Sequence, residues 1–285
     1  MSLLQKRLAR FMAPPRQDQP EPPDSDSARP AREAIVEVAR KLNRPGWSAY
    51  LVGGTLRDLL VGPGSRHRDA QPRDVDIIVS GARREQLQEL LQETLVLERL
   101  TRFGGLHLSK RLPSGSRVLF DIWTLADTWG FGSQNIVPRM EDFPGTTFLN
   151  LDSCAIELLE PSGRPRALFA KGFFEGIANR VLDVNYAPNP FPYVCAARAL
   201  VMAARLDFTI ARPLAEFILR HSAAGIEALI EAQQSHYGFV RCHAGELSLW
   251  LDEIRRQFDS ERRPIAIEVS RVRRLELWRD YPAAA

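Results

Sequence analysis

Three aspartates and two glycines carry the clearest chemistry in this chain. Asp74 and Asp76 stand at i and i+2 in Asp74-Val75-Asp76-Ile77-Ile78-Val79. That β-branched run reads as a strand, so both carboxylates point to one face and Val75 and Ile77 to the other. Two like charges side by side resist joint ionisation unless a cation lies between them, and hard carboxylate oxygens select Mg²⁺. Upstream, Tyr50-Leu51-Val52 reads as a buried strand broken by Gly53-Gly54, after which Leu56, Leu59 and Leu60 follow at helical spacing. Glycines between a strand and a helix let a ligand approach the backbone, and the N–H groups that open the helix favour an anion such as phosphate. A phosphate-holding turn followed by a same-face aspartate pair is the least apparatus for metal-assisted attack on a nucleoside triphosphate. Either half alone has an ordinary reading, since Gly-Gly pairs make turns and Asp-x-Asp occurs on exposed strands.

A third acid follows. Residues 104–112 and 117–125 alternate in polarity and are joined by Pro113-Ser114-Gly115-Ser116, a hairpin signal. Asp121 lies in the second strand among Val118, Phe120, Ile122 and Trp123, where an acid is costly unless something charged or hydrogen bonding meets it. A third metal-ligand role would satisfy it; a solvated edge-strand acid is the alternative. His107, on the preceding strand, reads as a surface or internally satisfied histidine rather than a base.

The elements that must position these residues are legible from periodicity. Residues 31–42 form a helical face of Ile35, Val36, Val38, Ala39 and Leu42, stopped by Arg44-Pro45-Gly46, and 83–95 form a second helix with Leu87, Leu90, Leu91 and Leu95 inward. Residues 127–145 hold Gly, Pro and aromatics without a period and read as a loop able to close over the site. Further helices are expected over 193–208, 214–220, 226–233 and 244–258. Arg255, Arg256, Arg262, Arg263, Arg271, Arg273, Arg274 and Arg279 then form a basic tail, readable as a nucleic-acid contact or, given the acids between them, as a solvated face.

At 285 residues and 45% apolar content the chain can bury a sizeable core as one large domain or two modest ones. A net charge of +3 is too small to demand a polyanionic partner. The only lysines are Lys6, Lys41, Lys110 and Lys171; the arginine that supplies the remaining positive charge suits forked phosphate contacts or reflects a GC-rich genome. Cys154, Cys242 and Cys195 are too widely spaced for a disulfide framework or a Cys-x-x-Cys metal site, which fits a reducing cytoplasm. No apolar run approaches the roughly 20 residues that span a bilayer, so no membrane partner is expected. The opening segment, residues 1–12, reads as a short amphipathic helix or tail, and residues 13–30 as a flexible leader poor in apolar groups.

The pattern Leu51-Val52-Gly53-Gly54, Arg57-Asp58, a basic loop, and Asp74-x-Asp76-Ile77 resembles the head of class II tRNA nucleotidyltransferases and bacterial poly(A) polymerases, within the DNA polymerase β-like nucleotidyltransferase superfamily. The likeness runs over residues 31–214 and is densest before residue 80. It implies an α+β fold: a flexible leader over 1–30, a polymerase β-like head of mixed sheet flanked by helices over 31–180, and an all-α neck-like region over 181–285. It implies transfer of a nucleoside monophosphate from an NTP to an acceptor hydroxyl, an RNA 3′ end as in tRNA processing, with release of pyrophosphate. Asp74, Asp76 and Asp121 would be the catalytic and metal-binding acids for two Mg²⁺ ions. Gly53, Gly54 and Thr55 would hold the triphosphate, with Arg57, Asp58 and Arg198 as further nucleotide contacts.

The likeness also has departures. The family's Arg-Arg-Asp, which meets phosphate and ribose, is replaced by Thr146, Thr147 and Phe148, and its Asn by Asp152. Its base-reading Glu-Asp-x-x-Arg, used to choose CTP and ATP, falls on Phe191, Pro192 and Cys195. Two other readings therefore stand beside RNA-end transfer: a transferase that modifies a protein or small molecule, and a non-catalytic nucleotide- or RNA-binding scaffold.

Overall fold

The computed structural model describes residues 2–12, 25–61, 74–113, 115–260 and 263–278. The basic loop at 62–73, the stretch 13–24 of the expected leader, Ser114 at the hairpin tip, and Arg262 and Arg279 of the basic tail lie outside the described residues. The chain divides into two compact units, Met1–Thr146 with Asp152–Lys171, and Thr147–Leu151 with Gly172–Ala285.

The first unit is built on a seven-stranded mixed sheet. Its strands are β1 (Ser48–Val52), β2 (Asp74–Ser80), β3 (Val96–Leu100), β4 (Leu106–Arg111), β5 (Arg117–Thr124), β6 (Cys154–Glu157) and β7 (Leu168–Ala170), in the spatial order β3-β4-β5-β2-β1-β6-β7. Only the central β2–β5 pair is parallel; its neighbours run antiparallel. Strict alternation gives the sheet two different faces. Leu51, Val75, Ile77, Val79, Phe120 and Ile122 are fully buried on one face, which packs on α2 (Ser25–Leu42) and α4 (Arg84–Gln92). The opposite face carries the three acids at one end and an apolar cluster of Tyr50, Val52, Ile78 and Ala155 beyond them.

That cluster is completed by the segment expected to be a closing loop. Residues 127–145 instead fold back as α5 (Trp129–Gln134) and short 3₁₀ turns, and bury Phe131, Met140 and Phe143 against Tyr50, Val52 and Ile78. Burial of these large side chains, each of which stabilises by roughly 1.5–3 kcal/mol, makes the segment a fixed wall on the acid-bearing face rather than a lid. The opening residues also fold. Helix α1 (Leu3–Met12) buries Leu4 and Leu8 and packs on α3 (Gly54–Val61). Arg7 Nη1 donates to the carbonyls of Leu59 and Leu60 at 2.6 and 3.1 Å, satisfying acceptors at the C-terminal end of α3. Helix α2 begins at Ser25, within the stretch expected as leader.

The second unit is mainly helical: α6 (Phe173–Asn179), α7 (Pro192–Leu206), α8 (Arg212–Ser222), α9 (Ile226–Tyr237), α10 (Ala244–Ser260) and α11 (Arg271–Trp278), with a small parallel pair of β8 (Val181–Leu182) and β9 (Thr209–Ile210). Helix α7, rich in alanine and almost continuously buried, packs against α8, α9 and α11. The basic tail is largely paired: Arg255 with Asp252, Arg256 with Glu253, Arg273 with Glu246 and Glu276, and Arg274 with Asp207. Arg255 and Arg256 pair within an exposed stretch of α10, whereas Arg273 and Arg274 are half-buried and tie α11 to Glu246, Arg241 and Asp207.

Candidate active site

The acid-bearing face is assembled by strand register. Val52 of β1 faces Asp76 of β2, and Asp76 in turn faces Asp121 of β5. Adjacent strands lie about 4.8 Å apart, so the Asp76 and Asp121 side chains leave the sheet side by side, with Asp74 one pleat earlier on the same face. All three are half-buried.

The glycine turn sits beside this pair because β1 ends where the acidic end of β2 begins. Gly53 has φ +66°, in the left-handed region, and a Cβ there would stand only 2.5 Å from Asp76 Oδ2. Glycine thus serves here to admit the chain's own carboxylate against the turn. Gly54 opens α3, and a Cβ on it would meet Arg57 Nη2 at 3.0 Å. The Thr55 hydroxyl donates to the carbonyl of Asp74 at 3.1 Å, tying the first turn of α3 to the start of β2.

Arg57 is only 4% exposed. Its Nε donates to Asp58 Oδ1 at 2.9 Å and its Nη1 to Asp152 Oδ1 at 3.1 Å. Asp152, itself 8% exposed, ends the short turn that leads into β6. A guanidinium cannot shed its charge, so a buried one needs such partners, and losing one typically costs about 3–5 kcal/mol. Arg57 and Asp58 are thus engaged in holding the turn to the start of β6.

Asp121 is met by His107. The two residues face each other across the β4–β5 pair, and His107 Nδ1 lies 2.6 Å from Asp121 Oδ1. This bond holds His107 above the ordinary histidine range against the opposing effect of its burial, and Asp74 adds a weaker pull in the same direction. Asp121, costly in an apolar strand without a partner, is met by His107, which is the internally satisfied histidine that one of its two readings expects. The turn sets the register: Arg111 pairs with Arg117, which brings His107 opposite Asp121, whereas a four-residue turn at 113–116 would set it opposite Ile122. Asp152 as the partner of Arg57, 95 positions away, left no local trace.

Among the described residues no three His, Cys, Asp or Glu side chains form a ready metal cage. The donor set is hard carboxylate oxygen from neighbouring strands, which suits an ion that keeps several waters and takes substrate phosphates as ligands, as Mg²⁺ does.

The positions of the replaced family motifs have packing roles. The Thr146 hydroxyl donates to the Phe143 carbonyl at 2.8 Å. The Thr147 carbonyl accepts from Asn185 Nδ2 at 3.0 Å, and the Phe148 ring lies 4.9 Å from that of Phe217. Phe191 and Pro192 start α7, and Cys195 is buried within it. Arg198, half-buried, also lies on α7 and so belongs to the second unit.

Comparison with known proteins finds no matching family model. A stretch of 57 residues is 42% identical to poly(A) polymerase I of Haemophilus influenzae, covering 20% of this chain and 11% of that one. Among solved structures, a CCA-adding enzyme with CTP superposes with a TM-score of 0.52 at 18% identity, over 81% of this chain and 50% of that one. A tRNA-processing enzyme in an apo form gives 0.51 at 21% identity over 85% and 58%, and a Thermotoga maritima CCA-adding enzyme complexed with tRNA gives 0.50 at 19% over 80% and 49%. The chain spans about half the length of these structures and shares their fold, a mixed sheet flanked by helices with a helical region after it. Among the described residues no helix is long and apolar enough to cross a membrane.

Proposed function

We propose that this chain is a Mg²⁺-dependent nucleotidyltransferase that moves a nucleoside monophosphate from an NTP to an acceptor hydroxyl, an RNA 3′ end, and releases pyrophosphate. The observation that carries the reading is Asp76 facing Asp121 in register across β2 and β5, with Asp74 on the same face and the Gly53–Gly54 turn alongside. In the reaction the acceptor oxygen attacks the α-phosphorus, the bond from that phosphorus to the bridging oxygen breaks, and pyrophosphate leaves with the electron pair. The hydroxyl proton passes to water. Asp74, Asp76 and Asp121 are the residues that would hold two Mg²⁺ ions, and the bound ions would supply charge neutralisation at the phosphates and a more acidic hydroxyl. Gly53, Gly54 and Thr55 present the N–H groups at the start of α3 to the triphosphate. Arg57 and Asp58 fix that turn.

Support for an RNA acceptor comes from the fold shared with enzymes solved with CTP and with tRNA. A second reading, a non-catalytic nucleotide- or RNA-binding scaffold, is favoured by one specific observation: Thr147 and Phe148, on the family's phosphate- and ribose-binding positions, are engaged in packing. Incubating the protein with Mg²⁺, each labelled NTP in turn, and total RNA or protein distinguishes the two. Label transfer that disappears in Asp76→Ala supports the transferase. NTP binding with no transfer in the unsubstituted protein supports the scaffold and refutes transfer to an RNA 3′ end.

A further inference from the structure

We infer that His107 is a positioning residue for this site, orienting the Asp121 carboxylate toward a divalent ion. The inference rests on the reading above, in which Asp121 is one of the metal-holding acids.

The two facing carboxylates are constrained in different ways. Asp76 lies against the side-chain-free face of Gly53, where a Cβ would come within 2.5 Å of Oδ2, so its oxygen has one defined seat. Among the described residues no glycine stands against Asp121 in this way. The terminal torsion of an aspartate is soft and roughly two-fold, so an unrestrained carboxylate would sweep its two oxygens through a wide arc. His107 removes that freedom. Its Nδ1 stands 2.6 Å from Oδ1, and an ionised carboxylate can only accept, so Nδ1 carries the proton and the ring tautomer follows. The imidazole is itself well held, with its side chain 17% exposed against 32% for Asp121, and it stands on the directly paired position of a strand rather than on a loop. One oxygen of Asp121 is thereby committed to the histidine, and the other is turned to whatever binds over the sheet. A partner that fixes a ligating group in this way typically changes metal affinity by roughly 10–100-fold when removed.

The replacement that tests geometry is asparagine, whose side-chain N–H can occupy the place of Nδ1; glutamine is one methylene too long for it, and leucine fills the space with no donor. The full chain, free of nucleotide, is titrated with Mn²⁺ and bound metal is read by electron paramagnetic resonance, with circular dichroism recording the fold. The expected order is His107→Asn close to the unsubstituted protein, with His107→Gln and His107→Leu weaker by about 10-fold or more. In transfer assays the same two variants need correspondingly more metal, with the KM for NTP at saturating metal little changed. Equal Mn²⁺ affinity in the Asn, Gln and Leu variants overturns the positioning role, whether or not one of them is less stable. Asp76→Ala separates the two levels of argument. If that variant loses Mn²⁺ while the three His107 variants bind alike, the metal reading stands and only the role of His107 is lost. If Asp76→Ala binds Mn²⁺ as tightly as the unsubstituted protein, the carboxylate site fails and this inference goes with it.

Discussion

Replacing Gly53 by alanine tests whether the seat of the Asp76 carboxylate matters beyond the stability of the turn. Two costs follow from the structure. The first is backbone strain: φ is +66°, and an L-residue in the left-handed region pays about 1–2 kcal/mol. The second is steric. The new methyl would sit 2.5 Å from Asp76 Oδ2, whereas ordinary Cβ contacts begin near 3.4 Å. The carboxylate must therefore retreat by about 0.9 Å, because the turn behind it belongs to β1 and α3 and moves less easily. A displacement of about 1 Å at a reacting centre typically costs 10²-fold in rate. Gly46 provides the control: its φ is +80°, so it pays the same strain, but nothing lies within 4 Å of an added Cβ. Gly46→Ala and Gly53→Ala should thus lose similar stability, about 1–2 kcal/mol by denaturant titration. Only Gly53→Ala should lose transfer, by about 10²-fold per folded molecule. Equal activity in the two variants would refute the argument that this glycine is there to admit the carboxylate.

Asp74→Asn should abolish label transfer while leaving the melting temperature unchanged or slightly raised, because it relieves repulsion from Asp76; unaltered turnover would remove Asp74 from the metal site. Burial pushes the Cys154 thiol up to about 12, and burial together with Glu246 pushes Cys242 up to about 12, so neither should react with iodoacetamide at pH 8 until denaturant is added, and labelling of either in the native protein would contradict its burial. Burial alone would push the Glu246 carboxyl up, but its bonds to Arg273 outweigh that and hold it below the usual carboxylate range. A depressed folded value contributes stability above the unfolded carboxylate pKa that disappears as pH falls through the folded one. Thermal melts of Glu246→Gln should accordingly show a shallower loss of stability on acidification than the unsubstituted protein, and identical slopes would count against the pairing.

How far the sequence could be read depended on whether a signal was local and periodic. The strand from Tyr50, the glycine break, the helix after it, the acidic strand and the hairpin around Gly115 were legible because alternation and helical spacing are short-range patterns imposed by burial of one face. The same rule explains two misses. Strand β3 sits at the sheet edge with Val96, Glu98, Arg99 and Leu100 all exposed, so no buried face imprints a pattern on it. Residues 127–145 bury Phe131, Met140 and Phe143 through 3₁₀ turns and a six-residue helix, whose irregular spacing matches neither period. In the site, Asp74 and Asp76 announced themselves by spacing. His107 and Asp121 lie on the two strands of a legible hairpin, but the register that pairs them, like the contact of Arg57 with Asp152, needed the fold.

That last pair bears on how a triphosphate would be neutralised. Arg57, in the first turn of α3, is bonded to Asp58 and Asp152, and its ionic interactions with these acids serve the turn and the start of β6. The positions where the family offers two arginines hold Thr146 and Thr147, and their hydroxyls are bonded to the carbonyls of Phe143 and Leu149. Among the described residues of the site, the five acids Asp58, Asp74, Asp76, Asp121 and Asp152 outnumber the cations Arg57 and His107. A surface of that sign repels a polyphosphate unless divalent cations come with it. In the proposed transferase, divalent ions and the N–H groups that open α3 would then carry much of the substrate's charge. Transfer by this chain should then rise steeply with divalent-ion concentration, and NTP affinity measured without metal should be low.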